Sequence, residues 1–364
     1  MTITIAVPCY NLEDRIEACL DSIICQDCQE IEILVIDDCS TDHSVDVINK
    51  FIDKHPERNI RLIINETNLG LCKVRNIAID EAHGEYLFFV DGDDTIERGT
   101  ISLFKHRMEQ TQVDVVCGSF RKKDFDGNTY ITKQFPEDTI KGEFAYASYI
   151  EKYITGYFCL AAWNNLYRLD FLRKHEIYCA THYRSYEDRL FTFKVVLNAR
   201  SVSYIHDVTY NYCDVKASIR HQRKDLAFLH TFQAVIESVF EAKRNFESVN
   251  NKVLPQGALF LLNYICLTNG PLKNVIEANV GRDEKKQFLK RLKKQYRENN
   301  MTWSSIVGPY NRISYLILSS PLPYTLFCFY FGHMKVIAKV VEKLTARRCE
   351  NLKGNGCLSW AACA

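Results

Sequence analysis

The segment Gly-Glu-Tyr-Leu-Phe-Phe-Val-Asp-Gly-Asp-Asp, residues 84–94, decides how the first part of this chain folds. Its apolar run, Tyr86–Val90, is short and rich in aromatic residues, which favours a buried β-strand over a helix. Three aspartates, Asp91, Asp93 and Asp94, follow this run. The sequence therefore predicts a buried strand that ends in an acidic turn.

Strands and helices alternate on the N-terminal side of this segment. Runs rich in β-branched residues predict strands at 3–7, 31–36 and 61–65. Apolar residues at helical spacing predict helices at about 15–24, 44–54 and 72–82. Because such alternation is typical of a parallel sheet covered by helices, we expect an α/β fold.

After Asp94 the alternation becomes less regular. We predict a helix at about 100–110, a strand at 114–120 and a hairpin or flexible loop at 121–137. From Asp225 onward strands become scarce, and helical patterns occur at 228–242, 256–267, 284–296 and 335–344. We therefore place a domain change near 215–225.

Composition and charge exclude several classes of protein. The chain has 364 residues, with 46 Lys and Arg against 45 Asp and Glu, which argues against a nucleic-acid binder. Its 15 cysteines are odd in number and have no repeating spacing, so we infer a reducing compartment rather than a disulfide framework. The first residues lack a basic region and their apolar run ends at Pro8, so we predict a cytoplasmic protein without a signal peptide.

Acidic clusters follow the predicted strands at their carboxyl ends, where ligands bind in open α/β sheets. One cluster lies at 37–42 and another at 91–94. Because neighbouring carboxylates repel each other, we expect Asp91 and Asp93 to share one Mg²⁺ or Mn²⁺, which keeps open positions for phosphate oxygens. The residues therefore predict a metal site for a nucleotide diphosphate, and the alternative is a simple polar turn.

Four motifs follow one another in the first part of the chain. The motifs are Val7-Pro8-Cys9-Tyr10-Asn11, then Val35-Ile36-Asp37-Asp38-Cys39-Ser40-Thr41-Asp42, then Asn68-Leu69-Gly70 through Arg75-Asn76, and then Gly84 through Asp94. They cover residues 3 to about 100, and in this order they resemble the family 2 glycosyltransferases. The resemblance implies a GT-A fold, which is a Rossmann-like mixed sheet that binds a nucleotide sugar, followed here by a helical C-terminal region.

The resemblance implies roles for several residues of the donor site. Asp38 would accept a hydrogen bond from the imide of a uracil-type base. Pro8, Tyr10 and Glu13 would line the nucleoside pocket. Arg75 would lie beside the base or the phosphate.

The resemblance also implies that Asp91 and Asp93 are the family's paired metal-binding aspartates, with Asp93 the more direct ligand of Mn²⁺ or Mg²⁺ and Asp91 close to the nucleotide sugar. For Asp37 and Asp42 the alternative is a capping role, because Asp42 stands where a helix N-cap belongs. Cys39 stands where the family usually has glycine, a change that affects the turn and removes no ligand.

A carboxylate base is expected in the second half of the site. Glu187-Asp188, just before a helical stretch at 190–197, resembles the family's Glu-Asp motif. By that resemblance, Asp188 removes the proton from the acceptor hydroxyl while the metal stabilises the departing diphosphate. The alternative is an acidic pair favoured by the helix dipole, worth up to ~1 kcal/mol.

Two more segments resemble parts of capsule and exopolysaccharide transferases. Residues 162–168 resemble their Trp-Asn-Lys-Leu-Tyr segment, with Asn165 in place of lysine. Tyr210-Asn211-Tyr212, followed by Lys216, Ser218 and Arg220, resembles the segment that closes the site, where a basic side chain reaches the diphosphate. A solvated loop is the alternative for this second segment.

The C-terminal part carries signals for a membrane surface. Residues 282–297 contain eight basic and two acidic residues, and 335–344 has a lysine at every fourth position. Both predict amphipathic helices attracted to anionic lipid. Residues 313–332 are uncharged but interrupted by prolines, so we expect an interfacial or re-entrant hairpin, with burial or a true span as alternatives.

These features predict a GT-A catalytic domain at 1–220, with a nucleotide-sugar half at 1–95 and an acceptor half at 96–220, and a helical region at 221–364. The expected activity is inverting hexosyl transfer from a UDP-sugar to a hydroxyl of a glycan or lipid-linked oligosaccharide, in bacterial surface polysaccharide synthesis at the inner face of the plasma membrane. The alternatives are a non-catalytic glycan- or nucleotide-binding module and a metal-dependent nucleotidyltransferase.

Overall fold

The computed structural model describes residues 1–28, 30–153, 161–181, 187–214, 225–267, 275 and 278–301, except for the side chains of Glu187 and Leu267. These residues form two compact units. The first comprises 1–149 and 161–214, and the second comprises 150–153 and the described residues from 225 onward. All predicted donor-site, metal and base residues lie in the first unit.

Strands and helices alternate strictly at the start of the chain. The elements are β1 (Ile3–Cys9), α1 (Ile16–Ile24), β2 (Ile31–Asp37), α2 (Ser44–Lys54), β3 (Ile60–Ile64), α3 (Leu71–Glu81) and β4 (Tyr86–Phe89). The strands and helices predicted for this part are confirmed, with ends that differ by one or two residues.

Short strands then interrupt the alternation. The elements are β5 (Thr95–Ile96), α4 (Thr100–Thr111), β6 (Val115–Lys123), β7 (Thr129–Lys133), β8 (Asp138–Lys141), α5 (Ala145–Lys152), β9 (Asn165–Arg168), α6 (Leu169–Lys174), α7 (Glu187–Asn198) and β10 (Ser201–Cys213). The predicted hairpin at 121–137 is confirmed as β6 paired with β7.

The strands of the described residues form one mixed sheet in the order β3-β2-β1-β4-β9-β6-β10-β5, with β7 paired to β6 and β8 to β10. β1 to β4 are parallel to one another, whereas β9 runs antiparallel to both β4 and β6. β1 and β4 are buried at every residue, which is typical of strands covered on both faces. The predicted α/β class with a mixed sheet is therefore confirmed.

The second unit is helical in the residues described. α8 (Leu226–Asn250), α9 (Gln256–Leu267) and α10 (Arg282–Glu298) confirm the three helices predicted there. The apolar side of α10 packs on α8, with ring centroids 5.6 Å apart for Phe232 and Phe288 and 5.3 Å apart for Phe240 and Tyr296.

Two of the three segments predicted to contact the membrane lie outside the described residues. Within the described ranges, no helix has both the length and the apolar character needed to span a bilayer. The segments 313–332 and 335–344 lie outside the described residues, so the structure gives no account of them.

Candidate active site

The carboxyl ends of β1, β2 and β4 meet at one edge of the sheet. Cys9 is in register with Asp37, and Ala6 with Phe89, in the parallel pairings of β1. Two further backbone hydrogen bonds continue the pairing past the ends of β2 and β4. Asp38 N–H donates to Cys9 O at 2.8 Å, and Val90 N–H donates to Ala6 O at 3.0 Å. The loops that carry the predicted motifs therefore lie side by side.

The Asp-Gly-Asp turn after β4 packs closely against the end of β1. A Cβ atom at Gly92 would lie 2.7 Å from the carbonyl oxygen of Pro8 and 2.8 Å from Cδ1 of Leu12, so glycine is required between the two aspartates. Burial and the charge of Asp91 raise the pKa of Asp93 to about 6. The turn thus holds two carboxylates that repel each other.

Arg75 connects this turn to the predicted base. It lies on α3 with 1% of its side chain exposed, and its Nη2 donates to Oδ1 of Asp91 at 2.9 Å. Its Nη1 donates to Oδ1 of Asp188, in the first turn of α7. Asp91 and Asp188 keep 21% and 25% of their side chains exposed, so solvent and ligands reach both carboxylates.

The donor atoms at this edge fit a divalent cation. Mg²⁺ and Mn²⁺ are hard cations that are held by one or two carboxylates, with water and substrate phosphates completing the coordination. In the part of the chain described, no cluster of three or more His, Cys, Asp and Glu side chains is placed to hold a metal. Burial and the charge of Asp91 both disfavour the charged form of Asp93, and a bound cation would offset both effects. Such an ion would be held by Asp91 and Asp93.

Asp38, the predicted base-binding residue, also organises the loop before α3. Its side chain is 3% exposed, and its Oδ1 accepts from Asn65 Nδ2 and from the backbone N–H of Leu69, both at 2.9 Å. Its Oδ2 accepts from the backbone N–H of Gly70 at 2.7 Å. Because Gly70 directly precedes α3, Asp38 sets the start of the helix that carries Arg75.

Asp37 and Asp42 bond to nearby backbone, as the capping alternative predicts. Asp37 accepts from the backbone N–H of Ser40 at 2.9 Å and from its hydroxyl at 2.5 Å. Asp42 accepts from the N–H of Ser44, the first residue of α2, at 2.9 Å. Burial raises the pKa of Asp42, but hydrogen bonds, chiefly from Ser44, more than offset this and hold it below its usual value. The N-cap position itself belongs to His43, so the prediction that Asp42 occupies it is wrong by one residue.

The three residues predicted to line the nucleoside pocket differ in exposure. Pro8 is buried in β1, whereas Tyr10 is 46% exposed. The carboxylate of Glu13 accepts from the backbone N–H of His43 at 2.8 Å, which gives it a role in holding the loop before α2. Cys39 has a φ of +63°, the left-handed region that favours glycine, which explains the resemblance to a glycine position.

The segments around Trp163 and Tyr210 meet beside the acidic turn after β4. The ring of Trp163 stacks on that of Tyr210, with centroids 4.6 Å apart and planes at 12°. The hydroxyl of Tyr210 accepts from the N–H of Asp91 at 3.1 Å and donates to Oδ2 of Asp94 at 2.8 Å. The sequence motifs indicated that these segments matter, but not that they contact the turn.

Two asparagines hold the surrounding backbone. Asn165, which replaces the lysine of the resembling motif, donates from Nδ2 to the carbonyls of Ala161 (3.1 Å) and Trp163 (3.0 Å). Asn76 pairs with both backbone groups of Cys179, at 2.9 and 2.8 Å, and so anchors the chain that leads toward α7. Lys216, Ser218 and Arg220 lie outside the described residues.

Comparison with protein families identifies relatives. The family model described as Glycosyl transferase family 2 matches residues 4–196. The chain is 32% identical over 215 residues to the poly(ribitol-phosphate) beta-N-acetylglucosaminyltransferase TarS of Staphylococcus aureus (strain MW2), covering 58% of this chain and 35% of TarS. It is 28% identical over 211 residues to the uncharacterized glycosyltransferase EpsJ of Bacillus subtilis (strain 168), covering 58% of this chain and 60% of EpsJ. These matches span less than two thirds of either relative.

Solved structures are similar as well. The crystal structure of S. aureus TarS 1-349 in complex with UDP-GlcNAc matches with a TM-score of 0.64 at 23% identity, covering 87% of this chain and 89% of that one. The mannosyltransferase PcManGT from Pyrobaculum calidifontis, in complex with GDP-Man and Mn²⁺, matches with a TM-score of 0.52 at 16% identity, covering 94% and 86%. At these identities the similarity establishes a shared fold.

Proposed function

The chain belongs to glycosyl transferase family 2, and from this premise we propose that it is an inverting, metal-dependent glycosyltransferase that uses a UDP-sugar and a glycan acceptor. The observation that carries the proposal is the double contact of Arg75, which brings a carboxylate of α7 beside the acidic turn after β4. An inverting transfer needs a base for the acceptor and a binding site for the diphosphate next to each other.

In the proposed reaction, the acceptor hydroxyl attacks the anomeric carbon of the donor and gives its proton to Asp188. The bond between the anomeric carbon and the diphosphate oxygen breaks, and its electron pair leaves with UDP. A bound Mg²⁺ or Mn²⁺ at Asp91 and Asp93 would supply positive charge to the departing diphosphate. A single displacement of this kind inverts the configuration at the anomeric carbon.

The choice of UDP rests on Asp38 and on a relative. The buried carboxylate of Asp38 lies beside the loop after β1 and is an acceptor of the kind that pairs with the imide of uracil. A structure of similar fold was solved with UDP-GlcNAc. TarS is a poly(ribitol-phosphate) beta-N-acetylglucosaminyltransferase, which supports a hydroxyl-bearing polymer as the acceptor class.

We also propose that the protein works on the cytoplasmic side of the plasma membrane and touches its inner face through the basic side of α10. Lys286 and Lys294 have side chains 48% and 73% exposed, and Lys290 is exposed between them. The apolar residues Phe288 and Leu292 are buried. This favours attraction to anionic lipid by charge, without insertion of the helix.

A donor panel tests the proposed activity. The full chain is incubated with Mn²⁺, a set of UDP-sugars and a lipid-linked or polyol-phosphate acceptor, and released UDP and modified acceptor are measured. We expect UDP and product to form in equal amounts with one donor, with Asp188→Asn as the inactive control. Binding of UDP-sugars without any release would overturn the proposal in favour of a binding module. Release of pyrophosphate from nucleoside triphosphates would favour a nucleotidyltransferase.

A further inference from the structure

Asp94, the last residue of the acidic segment, is engaged by β10 through both carboxylate oxygens. Its side chain is 1% exposed. Its Oδ1 accepts from the backbone N–H of Cys213 at 2.7 Å, and its Oδ2 accepts from the hydroxyl of Tyr210 at 2.8 Å. Asp94 therefore ties the turn to β10, whereas the neighbouring Asp91 stays partly exposed.

The same hydroxyl holds the other end of the turn. A phenol has one proton to donate, which Tyr210 gives to Asp94, and lone pairs with which it accepts from the N–H of Asp91 at 3.1 Å. The turn closes on itself through a bond from Asp94 N–H to Asp91 O at 2.9 Å. Tyr210 thus contacts the backbone of Asp91, two residues before Asp93, and the side chain of Asp94, one residue after it.

The ring of Tyr210 is itself fixed from the side. Trp163 stacks on it at 4.6 Å, and the next residue, Asn164, accepts from the hydroxyl of Thr209 at 2.8 Å. The N–H of Asn164 reaches the carbonyl of Phe89, the last residue of β4, at 3.4 Å. The segment around Trp163 therefore bonds both to β10 and to the end of the strand that carries the turn.

We infer that Tyr210, supported by Trp163, is a positioning residue for the metal site: its hydroxyl fixes the spacing of the Asp91 and Asp93 carboxylates without contacting the metal or the substrate. The inference rests on the proposed function only because that function assigns Asp91 and Asp93 as the metal-binding residues. It explains why a tyrosine 119 positions from Asp91 along the chain lies at this edge of the sheet. Partners of this kind typically alter metal affinity or activity by about 10- to 100-fold when removed.

Manganese binding to the full chain tests the inference without any turnover. Free Mn²⁺ is measured by electron paramagnetic resonance during titration of the wild type and of Tyr210→Phe, which keeps the stacked ring and removes the hydroxyl. We expect Tyr210→Phe to weaken Mn²⁺ binding by about 10- to 100-fold. Thermal unfolding is recorded in parallel, and a fall of about 4–8 °C is expected because the substitution removes both hydrogen bonds of the hydroxyl.

Tyr204→Phe is the matched control. Tyr204 is on the same strand, is 0% exposed and stacks on Tyr149 at 3.7 Å, and its hydroxyl donates to that of Tyr146 at 3.0 Å. It has the same chemistry as Tyr210 but no contact with the turn. We expect a smaller loss of thermal stability, about 2–4 °C for its hydrogen bond to Tyr146, and an unchanged Mn²⁺ affinity.

Several results would overturn the inference. These are wild-type Mn²⁺ affinity in folded Tyr210→Phe, an equal loss in Tyr204→Phe, or a wild type that binds no Mn²⁺. If Tyr210→Phe does not fold, Trp163→Phe is the second test. The smaller ring of phenylalanine leaves Tyr210 less constrained, so this variant should bind Mn²⁺ several-fold more weakly. Unchanged Mn²⁺ affinity in Trp163→Phe would overturn the inference. A wild type that binds Mn²⁺ but transfers no sugar would refute the proposed function and leave the inference supported by the titrations.

Discussion

The buried guanidinium of Arg75 donates to the carboxylate of Asp188, a residue 113 positions away along the chain. Its second nitrogen donates to Asp91 at 2.9 Å. One side chain on α3 therefore sets the distance between the turn assigned to the diphosphate and the carboxylate assigned to the acceptor. The two halves of the site are coupled through this ion pair.

We expect Arg75→Lys to impair both stability and transfer. A lysine ammonium is a point charge that cannot reach two carboxylates with a planar fork, so at least one charged hydrogen bond is lost. A loss of ~2–3 kcal/mol corresponds to about 10²-fold in kcat/KM, and we expect a similar loss in the free energy of unfolding. Steady-state kinetics and urea unfolding provide the measurements.

Arg58→Lys is the control for this substitution. Arg58 donates to the carbonyl of Ile24 at 2.8 Å and has no contact with the acidic turn. Its substitution should leave kcat/KM at the wild-type value. An Arg75→Lys variant as active as the wild type would contradict the coupling of the two carboxylates.

Asp93→Ala should remove metal-dependent UDP binding and leave the fold intact. The carboxylate is charged at neutral pH beside Asp91, and burial with this neighbour raises its pKa to about 6. Removing it relieves repulsion, so the melting temperature should stay at or above that of the wild type. Calorimetric titration with UDP, with and without Mn²⁺, provides the measurement. Wild-type UDP affinity with the same Mn²⁺ dependence would show that Asp93 is not a ligand.

The strands, helices and turns that carry this site could be predicted from the sequence, because the spacing of apolar and polar residues within each segment determines them. The run Tyr86–Val90 is apolar enough to form a central strand, and the acidic turn follows from its position after that strand. The predicted ends of α2 and α3 are correct to within one residue because their apolar spacing is regular. Local signals of this kind also identified Asp188 as a residue at the start of a helix.

The contacts between distant segments could not be predicted in the same way. β9 has only four residues, Asn165–Arg168, and it forms by pairing antiparallel with β4 on one side and β6 on the other. The bonds of Tyr210 to the acidic turn depend on that arrangement, because β10 reaches the turn only once the sheet is assembled. The sequence shows the periodicity of apolar residues within one helix or strand, whereas these contacts depend on the order of strands in the sheet.

Glu32→Gln should destabilise the first unit by about 3 kcal/mol. The Glu32 side chain is 2% exposed and accepts from Arg61 Nη1 at 2.6 Å, from Thr4 Oγ1 at 2.5 Å and from the N–H of His83 at 2.9 Å. An amide there accepts weakly and removes the buried charge partner of Arg61, which keeps the exposed Glu81 at 3.3 Å. Urea unfolding at pH 7 measures the loss, and Glu57→Gln, at an exposed glutamate, should cost under about 0.5 kcal/mol.

The same residue predicts a pH dependence. Burial raises the pKa of Glu32, but hydrogen bonds from Thr4, Arg61 and His83 more than offset this and lower it below the usual value. A lowered pKa in the folded state gives stability that is complete above the unfolded value of about 4.3 and is lost as pH falls below it. Between pH 5 and pH 3 the free energy of unfolding should therefore fall less steeply in Glu32→Gln than in the wild type. Equal slopes would contradict this assignment.

Charge reversal on α10 tests the membrane contact. Lys286, Lys290 and Lys294 are spaced by four residues and all are exposed, so replacing them with glutamate leaves the apolar face on α8 unchanged. Each basic residue near an anionic surface contributes ~1 kcal/mol, so the triple variant should lose more than about 10²-fold in affinity for vesicles rich in anionic lipid.

The control reverses three exposed lysines of the first unit, Lys50, Lys141 and Lys174, and changes the net charge by the same amount. Flotation with vesicles of defined composition compares the two variants with the wild type. Equal flotation of the α10 variant and the wild type would show that this helix does not make the contact.

Asp188→Asn is the most direct test of the proposed mechanism. Asparagine keeps the size of the side chain and an oxygen that can accept from Arg75, but it cannot take a proton from the acceptor. A general base contributes about 10²- to 10⁴-fold, so kcat should fall by that factor while the Kd for UDP-sugar, measured by calorimetry, stays nearly unchanged. If Asp188 had only a structural role, through the helix dipole and its ion pair with Arg75, the substitution would lower stability and the rate per folded molecule would persist. Asp170→Asn separates these outcomes, because Asp170 is an exposed acidic residue in the first turn of α6 and is not assigned to the reaction. Wild-type turnover in folded Asp188→Asn would reject this residue as the base, and Glu187 would be the next carboxylate to test.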